Sequence, residues 1–281
     1  MSEQLNQYYH RWASSLGALE DTPENIWGTL PYDPSVHQGK DVVFCGLYGL
    51  PDFYTLWRHK GKKFCWWTGS DIRHLLNGYW LDTVGTIRLP AKTLAKWIAK
   101  NCESWVENEV EGKALEQVGI KSNVCPSFLG KAQNFNVTYQ CDERPQLYTS
   151  VSGDDFDLYG WYELADIAEA NPDIDFYCYG NTKEFPRILP NLKIRGRVPK
   201  EVMNAEIKTM QGAIRLVELE GFSEIVCKSL LMGQWPVSSI PYPNTISVEG
   251  IRTIFDKKEP NVEGREWCLN SLNKYPWVNN R

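Results

Sequence analysis

Arg215, Glu220, Gly221, Phe222, Ser223 and Lys228 fall within one short stretch of a 281-residue chain, and their types suit anion chemistry. The stretch from Ala213 to Val237 reads as a strand, a Gly-Phe-Ser turn, a helix and a second strand. A helix that opens from a glycine turn leaves its first amides free to bind an anion such as a diphosphate. Arg215, on the preceding strand, adds a bidentate charge-assisted donor. Lys228 offers donors only, so a phosphate contact and an i,i+4 surface pair with Glu224 both account for it. Regular alternation puts Arg215 and Glu220 on opposite strand faces. Both reach one ligand only if the strand ends by about Leu219 and the turn swings Glu220 back.

Asp71 closes Thr68-Gly69-Ser70-Asp71 after an apolar run, where it either caps the following helix or meets a polar ligand. Gly46 and Gly49 sit between a strand and a helix, making the turn or letting a substrate approach the backbone. Trp66 and Trp67 read as core before ligand platform. His10, His37, His59 and His74 have no metal-ligand spacing, so no metal is expected.

The elements that must position these residues alternate between short apolar runs and amphipathic segments, the pattern of α/β architecture with mostly parallel strands. Strands are expected at 41–45, 62–67, 103–106, 121–126, 147–151, 174–179, 192–194, 212–219 and 235–238. Helices are expected at 52–59, 109–118, 159–170, 200–210, 223–232 and 265–274. Residues 133–144 are polar with little periodicity and read as a linker. The division is then 1–140, 141–255 and a C-terminal helix, 256–281, near the hinge.

The formal net charge is −5, which removes the long-range pull of a generally basic nucleic-acid binder. One segment departs from that average: residues 51–100 hold nine Lys/Arg against three Asp/Glu, interleaved with Trp57, Trp66, Trp67, Tyr79 and Trp80. A solvated face and a surface for an anionic ligand both fit, the latter placing Arg58, Lys60, Lys62 and Lys63 beside that ligand or at the rim of its site. The 12 Trp exceed what a core alone needs. The eight cysteines form no CxxC pair and read as reduced thiols. The first thirty residues lack an apolar export core, and the uncharged run Ser229–Val248 is broken by Gly233, Pro236, Pro241 and Pro243. A cytoplasmic protein without an integral membrane segment is expected.

Glu220-Gly-Phe-Ser-x4-Lys228-Ser-Leu-Leu-Met-Gly-x-Trp-Pro-Val237 resembles the donor-site signature of retaining GT-B glycosyltransferases, the glycogen synthase and mannosyltransferase-like superfamily. Asn171–Gly180 and Pro190–Pro199 resemble that family's Pro-Asp-x-x-Phe-x-x-x-Gly and Pro-Asn-x-x-x-x-Gly-x-Val segments. Trp67-Thr-Gly-Ser-Asp71 and Leu115-x-x-x-Gly-Ile-x5-Pro126 resemble two elements of its first half. The motifs stand in the family's order across roughly residues 40–240.

The resemblance implies two Rossmann-like domains with a central cleft, the acceptor on the N-terminal half and a nucleotide-sugar donor on the C-terminal half. It implies a metal-independent hexosyltransferase-like enzyme with no cofactor beyond its substrates. Arg215, Glu220 and Asp71 are its expected catalytic residues. Glu220 would contact the sugar, while Gly180, Arg195, Arg197, Val198, Gly221, Phe222, Ser223 and Lys228 would bind the rest of the donor. Gly46, Gly49 and Ser152 would form the acceptor and phosphate loops. The acceptor is left open between a glycan, a lipid-linked sugar and a modified DNA base. Two departures stand out. Lys228 occupies the second glutamate position of the family's Glu-x7-Glu, and Thr149–Asp155 lacks its basic pair. These departures motivate a second possibility, a non-catalytic nucleotide-sugar or glycan-binding protein on a decayed GT-B fold.

Overall fold

The computed structural model describes residues 7–13, 21–77, 91–151, 155–181 and 183–278. The chain divides into two compact units. The first holds residues up to Lys131 together with Leu219–Phe222 and the segment from Ser271; the second holds Ala132–Glu218 and Ser223–Asn270. The expected C-terminal unit is therefore shared, with 256–270 in the second unit and 271–281 in the first.

The first unit contains β1 (Tyr9–Trp12), α1 (Pro23–Trp27), β2 (Leu30–Pro31), β3 (Val42–Cys45), α2 (Leu50–Arg58), β4 (Lys63–Trp66), α3 (Ser70–Asn77), α4 (Ala91–Asn101), β5 (Glu103–Val106), α5 (Glu109–Glu116) and β6 (Ser122–Val124). Its strands run parallel in the order β2-β1-β3-β4-β5-β6. A parallel sheet buried on both faces calls for apolar residues without alternation, and Val42-Val43-Phe44-Cys45 is buried throughout. Val42, Phe44, Cys65 and Trp67 join one core cluster; Val43, Cys45, Phe64 and Trp66 join another.

The second of these clusters explains much of the tryptophan content. Trp27, Trp66, Trp105, Tyr275 and Trp277 pack edge to face, and Tyr275 stacks on Trp277 at 4.6 Å between centroids. Trp66 donates its indole N–H to the Tyr275 hydroxyl at 3.0 Å. Trp27, Trp66, Trp67, Trp161 and Trp277 are all core, so the aromatic surplus is largely a packing device rather than a ligand surface.

The second unit contains β7 (Gln146–Ser150), α6 (Trp161–Ala170), β8 (Asp175–Tyr179), β9 (Leu192–Gly196), α7 (Lys200–Glu206), β10 (Gly212–Arg215), α8 (Glu224–Leu231), β11 (Val237–Ser238) and α9 (Val262–Ser271). All its strands are parallel, in the order β11-β10-β7-β8-β9. This is a doubly wound sheet whose order reverses between β7 and β10, and such reversals open a crevice at the strands' carboxyl ends.

Several expected bounds move. The strand at 212–219 ends at Arg215, because β7 pairs only with Gly212 and Ala213, and β11 only with Ile214 and Arg215. The helix at 200–210 gives way after Glu206 to a 3-10 turn, Ile207–Thr209. The last helix starts earlier, at Val262, where Asn261 Oδ1 accepts the Gly264 amide at 3.0 Å. Four elements carried no clear signal: β1, α1, β2 and α4. β1 reads Tyr-His-Arg-Trp, without the apolar run that marks a buried strand. Among the described residues no helix is long and apolar enough to cross a membrane.

Candidate functional site

In the first unit, the carboxyl ends of β4 and β5 carry buried acids. Asp71 is fully buried at the start of α3. Its Oδ2 accepts the Leu47 amide at 3.0 Å, and its Oδ1 accepts the amides of Thr68 and Ile72, each at 3.0 Å. The carboxylate thus ties the β3 loop to the β4 loop. Burial pushes it up to about 6 even though these amides stabilise its charge. Gly46 takes a left-handed conformation at the end of β3. Gly49 is extended and precedes α2, where Asp52 Oδ2 accepts the amides of Tyr48 (2.9 Å) and Gly49 (3.2 Å). Tyr48 meets Thr68 Oγ1 through its hydroxyl at 3.0 Å and His74 edge to face.

Leu219–Phe222 lies in this same unit. Arg73 donates to the Leu219 carbonyl, and Asn108 Nδ2 donates to the Glu220 carbonyl at 2.7 Å. The Phe222 amide donates to Glu107 Oε2 at 2.8 Å, so one of the amides expected to face phosphate is already engaged. Ser127 Oγ donates to the other oxygen, Glu107 Oε1. Burial raises the Glu107 carboxyl to about 8. Glu111, one turn on in α5, accepts the Glu107 amide on Oε2 at 2.8 Å and is likewise pushed upward by burial. Asn108 caps α5, its Oδ1 accepting the Glu111 amide.

Neither Glu107 nor Glu111 stood out in the sequence. Both sit where a strand hands over to a helix, and an acid in a first helical turn ordinarily faces solvent against the helix dipole. The one available signal was the Val-Glu-Asn junction, an acid directly between an apolar strand and an Asn cap.

In the second unit, the strand ends carry cations and left-handed glycines instead. Arg215 closes β10, donates to the Ser150 carbonyl at the end of β7 at 2.7 Å, and lies 5.2 Å from the Tyr159 ring centroid. It therefore stands at the reversal of strand order. Gly180 follows β8 with φ +96°, and a Cβ there would come within 2.9 Å of the Val151 carbonyl oxygen and 3.0 Å of Ser150 Oγ. Only glycine suits both that conformation and that approach.

Arg195 on β9 is exposed and bound by Glu206, which also accepts the Tyr179 hydroxyl at 2.7 Å. Those two donors hold the Glu206 carboxyl below its ordinary range. Arg197 is exposed and Val198 half-buried in the turn before α7. Ser223 is buried at the start of α8. Lys228 pairs with Glu224 at 2.7 Å, the i,i+4 partner the spacing allows, but its side chain is 3% exposed and also meets Asn204 Oδ1 at 3.0 Å. The pair is buried on the lysine side, not a surface pair. Ser152 lies outside the described residues.

The fold thus groups Gly46, Gly49, Asp71, Glu220, Gly221 and Phe222 in the first unit, and Gly180, Arg195, Arg197, Val198, Arg215, Ser223 and Lys228 in the second. The basic segment is placed differently from expectation. Lys62 and Lys63 lie at the amino end of β4, the opposite end from Thr68 and Asp71, and Lys62 pairs with Glu103 at 3.1 Å. A parallel strand of four residues separates the two ends, so this part of the patch is remote from the loops at the strand carboxyl ends. Tyr79, Trp80 and Arg88 of that segment lie outside the described residues. Among the described residues no group of three or more His, Cys, Asp or Glu is arranged to hold a metal ion.

No family profile matches the chain, and neither does any curated protein sequence. Solved structures do match. Sucrose-phosphate synthase from Thermosynechococcus elongatus is similar with a TM-score of 0.59 and 11% identity, over 82% of this chain and 69% of that one. The apo form of WaaB, a lipopolysaccharide outer core galactosyltransferase, is similar with a TM-score of 0.58 and 9% identity, over 95% of both chains. The pneumococcal O-GlcNAc transferase GtfA, solved with UDP and GlcNAc, is similar with a TM-score of 0.52 and 10% identity; 85% of this chain covers 55% of it. This chain therefore spans just over half the length of GtfA and about two thirds of the synthase. What the three share with it is an architecture of parallel, Rossmann-like sheets, and the fold of this chain is GT-B, the fold of glycosyltransferases.

Proposed function

We propose that this protein transfers a sugar from a nucleotide-sugar donor to an acceptor, without a metal cofactor. The observation that carries the reading is Arg215 at the point where the second sheet reverses its strand order, held by the Ser150 carbonyl beside Tyr159. Crevices at such reversals take nucleotides, and a fixed guanidinium there suits a diphosphate. The donor nucleotide then lies along the ends of β7, β8 and β9, where Gly180 lets the backbone approach closely and Arg197 and Val198 border the base. Arg215 stabilises charge on the departing diphosphate, a role that needs a placed cation rather than a covalent nucleophile. Glu220 accepts hydrogen bonds from the sugar hydroxyls. WaaB is described as a galactosyltransferase and GtfA as an O-GlcNAc transferase solved with UDP and GlcNAc, which supports a nucleotide-sugar donor.

A thermal-shift screen of UDP-, GDP-, ADP- and CMP-sugars tests this reading, because a ligand that binds only the folded chain raises Tm. One donor class should raise it, and the same donor should be consumed in a turnover assay. Binding without turnover would favour the non-catalytic binder, for which the lysine at position 228 is the specific motive. No shift with any nucleotide-sugar at millimolar concentration would overturn both.

A further inference from the structure

Glu107 is a buried carboxylate with both oxygens in use, and one of its partners is 115 residues away in sequence. We infer that Glu107 is a positioning residue for Glu220, holding the Glu220–Phe222 turn in place from β5 through the Phe222 amide. This inference rests on the proposed contact of Glu220 with the donor sugar.

Three observations converge on it. First, the turn is pinned on both sides of Glu220: Asn108 Nδ2 binds the Glu220 carbonyl at 2.7 Å and Glu107 Oε2 binds the Phe222 amide at 2.8 Å. Arg73 holds the preceding carbonyl, that of Leu219. With the backbone fixed at 219, 220 and 222, the direction in which the Glu220 side chain leaves is fixed too. Secondly, Gly221 leaves room for the same carboxylate. A Cβ at 221 would overlap Glu107 Oε2, so a larger residue there would push the carboxyl away from the turn. A Cβ at Gly69 would likewise overlap the Glu220 backbone. Thirdly, Ser127 Oγ holds the far oxygen of Glu107, which sets the carboxyl plane and aims Oε2 at the turn.

The experiment compares Glu107→Met, which keeps the volume and removes the acceptor, with Glu107→Gln, which keeps an acceptor oxygen. The probe is whichever of the UDP-, GDP-, ADP- and CMP-sugars gives the largest thermal shift, set against the matching nucleotide without its sugar. Glu107→Met should weaken nucleotide-sugar binding by about tenfold or more while leaving the free nucleotide within about threefold, and Glu107→Gln should restore sugar recognition to within about threefold. A purely structural role would move both ligands together and would not be rescued selectively. Equal losses for the two ligands, or none, would overturn the inference.

A stability cycle reads the contact without any ligand. Gly221→Ala alone should lower Tm by about 5 °C or more, whereas in a Glu107→Ala background the further loss should fall by at least half. Additive losses would show that the two residues do not meet, and would overturn the inference even if Glu107→Met weakened binding. If the wild-type chain binds no nucleotide-sugar, the proposed function and the role of Glu220 fall together, while the cycle still decides whether Glu107 shapes the turn.

Discussion

Both sheets present loops at the carboxyl ends of parallel strands, yet the two sets of loops are built from opposite chemistry. In the first unit the polar groups there are acids, and they are spent on the protein's own backbone. Asp71 serves Leu47, Thr68 and Ile72; Glu107 serves Phe222; Glu111 serves Glu107. In the second unit the corresponding ends carry Arg195, Arg197 and Arg215, with glycines at the close approaches. Acids buried among strand ends brace loops; a cation at a strand-order reversal attracts an anionic ligand. The comparison teaches that one parallel-sheet plan can carry bracing acids at its strand ends in one unit and cations in another, the latter serving as an anion site under the proposed function. The side chains at the strand ends decide which.

The largest effect expected is on the brace. Asp71→Ala strips the buried Leu47 and Ile72 amides and the part-buried Thr68 amide of their acceptor at once, and at about 1–3 kcal/mol for each buried group, with less for Thr68, the first unit should lose roughly 3–5 kcal/mol. Chemical denaturation reads this directly. A loss below about 1 kcal/mol would mean the loops are held by something else, and the contrast between the units would weaken.

Next in size is the anion site. Arg215→Ala should cost about 2–4 kcal/mol of transition-state stabilisation, seen mainly in kcat, because the charge it balances grows as the diphosphate departs. Its folding stability should change far less than that of Asp71→Ala. Unchanged turnover would return Arg215 to packing against Tyr159.

A pH series separates the units more finely. A carboxyl raised in the folded state gives stability that is fully present below its unfolded value and is lost as pH rises through its folded value. For Glu107 that window runs from about 4.5 up to about 8, and for Asp71 from 3.8 to about 6. His10, His59 and His74 are lowered by burial, so their effect is confined to pH below about 6.5. Between pH 6.5 and 8, Tm should fall by a few degrees, and Glu107→Gln should flatten that fall. A flat wild-type profile would place the Glu107 carboxyl in contact with water.

The smallest effect is expected at Lys228. Removing one partner of a buried ion pair is costly when the other charge is left buried, but Glu224, the partner left behind by Lys228→Met, is 40% exposed and keeps contact with water. Lys228→Met should therefore stay within about 1 kcal/mol of the wild type in denaturation, yet lower donor affinity if Lys228 meets phosphate. A large loss of stability with unchanged affinity would make it a brace like Asp71.

Periodicity and punctuation carried most of the fold. Uninterrupted apolar runs such as 42–45 can only be strands buried on both faces, and the segments between them have helical spacing, so parallel α/β sheets follow. The Gly-Phe-Ser turn and the order of the motifs also determined which superfamily the chain resembles. β1 was not legible because Tyr-His-Arg-Trp pairs with β3 through backbone bonds that any residue can make. Tertiary structure alone decided what the motif's residues touch. The strand ends at Arg215 because its neighbours do, and the Phe222 amide is taken by an acid 115 residues earlier in the chain. Lys228 is buried because Asn204 and Glu224 close over it. A hydrogen bond across such separations has no local pattern. It depends on which strand ends the fold brings side by side, and one sequence read along its length holds that information only in three dimensions.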